Sequence, residues 1–438
     1  MQKRLVLGHD RPYVHLRAVV QLERARGESG RGHRPYDSRT IEKRRNLLIA
    51  GAAAAAVVCA GYDTWLWATN YVSDNFHNDF TFYYAAALLG LQHGWPHLYD
   101  LKLQQAELDA IRSNITIAQL ARYVSPPPVA WIVVPFTALP YRAAYWVWSA
   151  LLLGALALGW HLTAPGRGRA RVVVLVAAIG WLPVIYGLQL GQPALFIAAA
   201  VAACAALLRG NRDIAAGAVL VFIVFKPQLA LLVAPSLLLA GRWRAFAAAA
   251  VALAVVAAVS AVALGPDGVS TYLARLQFAQ TVPENQSQTL AAWVQNLAVT
   301  RVVEVVISLA TLALVFRLRK RGTDVAIAIA LAGGLAASPY AHYDDLTMLG
   351  LAGLLLLRVP RPAWTVGYVL ALVIAAEGFP LWGAGPVIAG ELGLLAGLAL
   401  APHAFLDRRQ TSELQRLPHP IAPPAAPRDA QPASPPHS

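Results

Sequence analysis

The residues of this chain that could perform acid–base chemistry stand beside aromatic or proline-containing stretches. Asp79 begins the stretch DFTFYY, Lys226 lies in FKPQ, and His342 is followed by two aspartates in AHYDD. A partly buried carboxylate has a raised pKa and can act as a general base toward a hydroxyl. A lysine in a break between two short helices can contact a phosphate. These residue types therefore suggest proton removal from a hydroxyl beside a phosphate group.

Each of these motifs also has an explanation without chemistry. Asn78 or Asp79 could cap the helix that follows, since both residue types favour helix N-termini. Lys226 could be an interfacial lysine whose charged end reaches water. The segment from His342 to Asp345 could be an interface loop with an aspartate helix cap. As a metal site, this segment shows too few ligands.

The chain that must position these residues has the composition of a membrane protein. Of its 438 residues, 57% are hydrophobic and 13% are charged, whereas a soluble domain has roughly 25% charged residues. The mean hydropathy is +0.50. The composition and the apolar runs predict an all-α chain with about twelve transmembrane helices. The runs lie near residues 46–69, 142–163, 170–188, 193–208, 213–226, 228–240, 244–264, 301–317, 323–338, 345–358, 363–378 and 385–402.

The distribution of basic residues predicts the orientation of these helices. If the N-terminus is cytoplasmic and the loops alternate, the 36 Lys and Arg divide 29 to 7 in favour of the inner side. Both termini are then cytoplasmic, and the aromatic, amide-rich and AHYDD segments all face outward. The net charge of +13 is explained by this topology, so nucleic-acid binding is not expected. No nucleotide-binding GxxxxGK[ST] or GxGxxG motif is present in a suitable context.

The sequence divides into three regions. Residues 1–45 form a basic arm, predicted to be cytoplasmic and disordered, and residues 403–438 form a Pro/Ala-rich tail of the same kind. Residues 46–402 form the transmembrane domain. Within it, residues 70–141 form a large outer loop between the first two spans. This loop is predicted to contain an interfacial helix with an aromatic face, a polar helix ending near Asn114, and a proline-bounded apolar run that is re-entrant or interface-bound.

Several motifs together resemble glycosyltransferase family 87. They are, in chain order, NDFTFYYAAA, LYD, SPP, QLGQ, FKPQ and SPYAHYDD. The resemblance covers about residues 46–402 and implies a GT-C fold in a bacterial inner membrane. It implies transfer of a sugar, mannose by default, from a polyprenyl-phosphate donor to a glycan, glycolipid or polysaccharide acceptor on the outer face. Membrane lipid surrounds such an enzyme, and neither a cofactor nor a metal ion is expected.

The resemblance also implies roles for individual residues. Asp79 matches the catalytic aspartate of the first large outer loop. Asp74 competes for that role, but the aromatic residues follow Asp79 directly. Lys226 and His342 would contact the phosphate or the sugar of the donor. A single displacement with one base implies inversion at the anomeric carbon, through a transition state resembling an oxocarbenium ion. The predicted substrate groove comprises Asn78, Tyr83, Tyr84, Gln192, Gln228, Asp344 and Asp345.

Two other classes of function remain open at this point. A secondary transporter of about twelve spans would usually have two halves of similar hydropathy and broken helices at the bilayer midplane. The loop at 70–141 has no counterpart in the second half, and the polar motifs cluster at one face, so sugar transfer is favoured. The other class is a structural or assembly partner without catalysis.

Overall fold

The computed structural model describes residues 38–401, except for residues 167 and 295, with side chains from residue 46 onward. The predicted arm up to residue 37 and the predicted tail at 403–438 lie outside the described residues. Residues up to Ala55 form a compact unit separate from the one that begins at Ala56. Every element in the described range is helical, which confirms the all-α prediction.

The first helix begins at Ser38, so helical structure starts before the predicted boundary at residue 46. In chain order the α-helices are α1 (Ser38–Ser73), α2 (Asp79–His93), α3 (Leu101–Ala110), α4 (Pro127–Val133), α5 (Tyr141–Thr163), α6 (Arg169–Ile179), α7 (Leu182–Leu190), α8 (Ala194–Arg209), α9 (Asp213–Ala218), α10 (Val233–Leu239), α11 (Trp243–Ala279), α12 (Leu297–Leu318), α13 (Thr323–Ala336), α14 (Thr347–Arg358), α15 (Trp364–Glu377), α16 (Phe379–Trp382) and α17 (Gly385–Leu400). The 3-10 helices are Trp95–His97, Val134–Ala138, Val219–Phe225, Pro227–Leu229, Pro283–Gln286, Leu290–Ala292, Arg319–Arg321 and Tyr343–Leu346.

The predicted apolar runs are all helical, but few are long enough to cross a bilayer. By length and composition, four described helices qualify as candidate spans, and a fifth qualifies if α6 and α7, which are bent by 54°, count as one. Several of the other apolar helices have 10–17 residues, whereas a straight span needs about 20. Twelve spans are therefore not shown. The four long candidates are Asn46–Ser73, Tyr141–Thr163, Trp243–Ala279 and Leu297–Arg321.

The segment between the first two candidate spans is packed more tightly than an interfacial loop would be. Nearly every residue from Phe80 to Gly90 of α2 is buried, so the prediction of a surface helix with one aromatic face is wrong. The reason is that α2 is apolar on all sides and packs against α3, α4 and the 3-10 helices Trp95–His97 and Val134–Ala138. The polar helix α3 ends at Ala110, and the proline-bounded run forms only the short helix α4 with its 3-10 extension.

The helices α5, α8 and α13 connect two ends that differ in chemistry. At one end Tyr141, the first residue of α5, accepts a hydrogen bond from Asn78 at 3.0 Å. At the other end Arg209, the last residue of α8, pairs with Asp324 of α13 at 2.8 Å and donates to the carbonyl of Leu162 in α5 at 2.9 Å. Arginine-rich segments thus meet at one end, and aromatic and amide-rich segments meet at the other.

Candidate functional site

A cavity of about 210 Å³ lies at the end opposite the arginine-rich segments. Its walls come from segments that are far apart in sequence, at 79–83, 119–125, 186–192, 278–285 and 340–342, together with Lys226. Among its polar lining residues are Asp79, Tyr83, Arg122, Gln192, Lys226 and His342. The tertiary structure therefore brings the predicted base and both predicted phosphate contacts to one cavity.

Asp79 points into this cavity because its neighbour caps the helix. The side chain of Asn78 accepts a hydrogen bond from the Thr81 N–H at 3.1 Å, which makes Asn78 the N-cap of α2. One carboxylate oxygen of Asp79, Oδ2, accepts a hydrogen bond from the Gln192 amide. The other, Oδ1, has no hydrogen-bond partner among the described residues. This oxygen is available to a ligand.

Gln192 is held in place by the turn that ends α7. Gly191 adopts a left-handed conformation at φ 72°, and a Cβ there would meet the Cβ of Phe80 at 2.8 Å, so the turn requires glycine. The Trp148 indole donates to the Gly191 carbonyl at 2.8 Å. The Tyr83 hydroxyl donates to Gln192 Oε1 at 3.3 Å, which leaves the amide NH₂ to face Asp79.

The surroundings of Asp79 make it a stronger base than an ordinary aspartate. The Asp79 side chain is half-buried, and protein atoms surround the cavity that it lines. Burial raises the pKa of Asp79 to about 6, with a further increase from Asp344, while Lys226 and the Gln192 hydrogen bond oppose the shift. A general base works best with a pKa near the working pH. Asp79 therefore meets the electrostatic requirement for proton removal.

Asp74, the competing candidate, has a different environment. It lines a separate cavity of about 360 Å³ that also contains His77. Its Oδ1 accepts hydrogen bonds from the N–H groups of Phe76 and His77 at 3.2 and 3.3 Å, and Oδ2 contacts the His77 ring. Burial alone would raise the pKa of Asp74, but these hydrogen bonds and His77 lower it below the usual value. Asp74 is thus a weaker base than Asp79.

Lys226 forms a buried ion-pair cluster with two aspartates. Its Nζ lies 3.0 Å from Asp344 Oδ2 and 2.6 Å from Asp345 Oδ1, and both carboxylates are fully buried. Asp345 Oδ2 also accepts a hydrogen bond from the His342 N–H at 2.8 Å. Asp344 Oδ1 has no partner among the described residues. The two aspartates therefore lie behind Lys226 instead of lining the cavity. Burial, and then the charge of Asp344, raise the pKa of Asp345 to about 7.

His342 lines the cavity as a neutral side chain. Asn285 donates its amide to the Ala279 carbonyl at 2.8 Å, so its Oδ1 is the atom that faces the His342 ring. His342 Nε2 lies 2.9 Å from this oxygen and therefore carries the proton, which leaves Nδ1 as an acceptor. Burial, and then the charge of Lys226, lower the pKa of His342 to about 4. At neutral pH His342 brings hydrogen-bonding capacity but no positive charge.

The sequence analysis missed two arginines, Arg122 in the cavity wall and its neighbour Arg275. Arg122 lines the cavity with its guanidinium 4.3 Å from the centre of the Phe278 ring, and Arg275 donates to the Tyr99 carbonyl at 3.4 Å. Burial, and then the charge of Arg275, lower the pKa of Arg122. Neither arginine has a carboxylate partner in the part of the chain that the structure describes. A signal existed, because both belong to the seven basic residues on the predicted basic-poor side.

Besides Asp344 and Asp345, three further predicted groove residues do not line the cavity. Asn78 caps α2, and Gln228 lies in the short 3-10 helix that follows Lys226. The Tyr84 hydroxyl donates to the Leu139 carbonyl at 2.9 Å, and its ring packs against Phe80. The reason for the difference from Tyr83 is helical geometry, since consecutive residues of a helix point in directions about 100° apart.

Replacement of Lys226 by methionine should strongly destabilise the protein. The change leaves two buried carboxylates without their cation, a situation that costs about 3–5 kcal/mol. The melting temperature in detergent should fall. The deficit should be smaller at pH 5 than at pH 8, because carboxylates without a cation have raised pKa values in the folded state and protonation then stabilises it. The double variant Lys226→Met/Asp345→Asn should recover part of the loss. Equal melting of Lys226→Met and the native protein at pH 8 would contradict this role.

Comparison with known families agrees with the resemblance noted from the motifs. The sequence profile of glycosyltransferase family 87 matches residues 123–339, a range that contains Gln192, Lys226 and Asn285 but not Asp79 or His342. No curated protein and no solved structure matches the chain. The profile match decides in favour of sugar transfer over transport. Residues 123–339 of the chain thus belong to glycosyltransferase family 87, and the protein is a membrane glycosyltransferase, which takes a sugar from a donor and passes it to an acceptor.

Proposed function

We propose that this glycosyltransferase takes its sugar, most simply mannose, from a polyprenyl-phosphate donor and transfers it with Asp79 as general base. The observation that carries the proposal is the Asp79 carboxylate itself. It has a raised pKa, one oxygen without a partner among the described residues, and a place in a cavity shared with Lys226 and His342. The proposal includes a GT-C fold of about twelve spans in a bacterial inner membrane, with the cavity on the outer face and both termini cytoplasmic.

The proposed reaction is a single displacement. An acceptor hydroxyl of a glycan, glycolipid or polysaccharide attacks the anomeric carbon, and Asp79 Oδ1 accepts the hydroxyl proton. The bond between the anomeric carbon and the phosphate oxygen breaks, and the polyprenyl phosphate leaves with the electron pair. Because one displacement occurs, the configuration at the anomeric carbon inverts. This scheme requires neither a cofactor nor a metal ion.

The charges around the cavity support this scheme. Asp79, Asp344 and Asp345 outweigh Lys226, so the field on that side is negative and favours the positive charge that develops on the sugar ring. Arg122 and Arg275 offer positive charge without carboxylate partners in the described chain, which suits the leaving phosphate.

Three other side chains have supporting roles in the proposal. Lys226 has one ammonium hydrogen left after its two ion pairs and lines the cavity, so it remains a proposed contact of the same phosphate. His342 is neutral, and its Nδ1 would accept a hydrogen bond from a sugar hydroxyl instead of pairing with phosphate. Gln192 would fix the orientation of the base.

Replacement of Asp79 by asparagine should abolish most of the transfer. Loss of a general base lowers the rate by on the order of 10²–10⁴-fold. The matched control is Asp74→Asn, which makes the same change in a nearby aspartate of the neighbouring cavity and should retain activity. The measurement is transfer from radiolabelled polyprenyl-phosphate-mannose in membranes with matched expression. Activity that survives Asp79→Asn but disappears in Asp74→Asn would assign the base to Asp74.

The pH dependence of transfer should report the pKa of Asp79. Because the base must be deprotonated, the rate should rise with pH and reach half its maximum near pH 6. The Gln192 hydrogen bond lowers the pKa of Asp79, so Gln192→Met should move the midpoint to higher pH. A structural role of Gln192 alone would reduce the rate at every pH and leave the midpoint unchanged. A midpoint near the ordinary aspartate value in the native enzyme would argue against Asp79 as the base.

Replacement of Arg122 or Arg275 by glutamine should weaken transfer by removing charge from the leaving phosphate. A single lost donor to a developing anion lowers kcat by on the order of 10²–10³-fold. Arg142→Gln removes an exposed arginine away from the cavity and serves as the control. Steady-state kinetics with the same donor would measure kcat and KM. Native kcat/KM in both cavity variants would remove these arginines from the phosphate site.

A further inference from the structure

A second polar cavity lies at the arginine-rich end of the helices, away from the candidate active site. It has a volume of about 120 Å³. It lies among the 3-10 helix Arg319–Arg321, the start of α13, the end of α14, the start of α15 and the end of α17. The proposed reaction does not use this cavity.

Two lining residues of this cavity carry buried donors without a partner. Thr365 is fully buried, and its hydroxyl has no hydrogen-bond partner among the described residues. The same holds for the buried Nε of Arg361. Arg361 is fixed in position because its Nη1 donates to the carbonyls of Leu357 and Val359 at 2.6 and 3.2 Å. Buried polar groups of folded proteins are almost always satisfied, so a pair of unsatisfied donors at one cavity indicates an acceptor that binds there.

The charge of the cavity indicates that this acceptor is an anion. Lys320 and Arg361 line it, and none of its described lining residues is acidic. The N-terminus of the 14-residue helix α15 lies at the same place, since Thr365 is its second residue, and no side chain of the described residues caps the helix. The N-terminus of a helix carries a partial positive charge and favours anions. Cations, a hydroxyl donor and a helix N-terminus together match the donor requirements of a phosphate group.

The remaining wall of the cavity is apolar. Leu318, Val325, Leu356 and Leu398 line it, and Leu318 belongs to one of the candidate membrane spans. An inorganic phosphate ion would gain nothing from contact with these side chains, whereas a molecule with an anionic head and a hydrocarbon chain would bury its chain against them.

We propose that this cavity binds the phosphate head group of an anionic phospholipid. Thr365 and Arg361 donate hydrogen bonds to the phosphate oxygens, Lys320 adds charge, and the upper part of an acyl chain packs against Leu318 and Leu356. The site lies between α13, α14 and α15. Lipid binding there does not involve the donor or the acceptor of the transfer reaction.

The test compares binding of an anionic phospholipid with binding of a zwitterionic one. The full chain, purified in detergent, is incubated with phosphatidylglycerol or phosphatidylcholine, and the lipid retained on the protein is measured by native mass spectrometry. Native protein should retain phosphatidylglycerol in preference, and Thr365→Val and Arg361→Gln should each lower its affinity about tenfold. Arg319→Gln is the control. It removes a charge from the same segment, but Arg319 is exposed, bonds to the Phe316 carbonyl and does not line the cavity.

Thr365→Val separates binding from folding. Valine has nearly the same shape as threonine and removes only a hydroxyl without a partner, so the melting temperature should be unchanged or higher while lipid retention falls. Equal retention by Thr365→Val and the native protein would overturn the proposal, as would equal retention of the two lipids. Stabilisation of the lipid-free native protein by inorganic phosphate, absent in Thr365→Val, with no preference for phosphatidylglycerol, would assign the site to free phosphate instead.

Discussion

The buried cluster of Lys226 with Asp344 and Asp345 is the interaction on which the rest of the site depends. The two fully buried carboxylates require a cation, because a buried charge without a partner is far more costly than a paired one. The cluster joins the break after the 3-10 helix Val219–Phe225 to the segment that precedes α14. Asp345 also accepts a hydrogen bond from the His342 N–H. The cluster lies against α7, where Gly187 has no side chain and so leaves room for Asp344. One ion-pair cluster thus fixes three segments around the cavity.

The aromatic residues after Asp79 divide into two groups with different tasks. Phe82 and Tyr83 line the cavity, whereas the rings of Phe80 and Tyr84 pack behind it against α5. The buried aromatic packing holds α2 in the interior, and its N-cap turns the Asp79 side chain toward the cavity. The environment that raises the pKa of Asp79 therefore follows from packing and not from any special property of the residue.

Cations are used differently at the two ends of the molecule. At the arginine-rich end, Arg209, Arg358 and Arg361 donate to backbone carbonyls near the C-terminal ends of helices, where unpaired acceptors and the helix dipole favour positive charge. At the candidate active site, Arg122 contacts the Phe278 ring and the Ala118 carbonyl, and its neighbour Arg275 contacts the Tyr99 carbonyl. Neither arginine has a carboxylate partner in the described chain. The first arrangement stabilises helix ends, and the second leaves charge available for an anionic ligand.

The sequence by itself determined the helical class, the position of the apolar helices, the family and the short list that contained Asp79, Lys226 and His342. These follow from hydropathy, charge and short motifs, which are local properties. Only the tertiary structure decided that α2 is buried, that few helices have the length of a full span, and that Arg122 lines the cavity with Arg275 beside it. It also paired Lys226 with aspartates 118 and 119 positions away and made His342 neutral. The physical reason is that burial, charge pairing and pKa depend on neighbours from distant segments, and packing alone selects those neighbours.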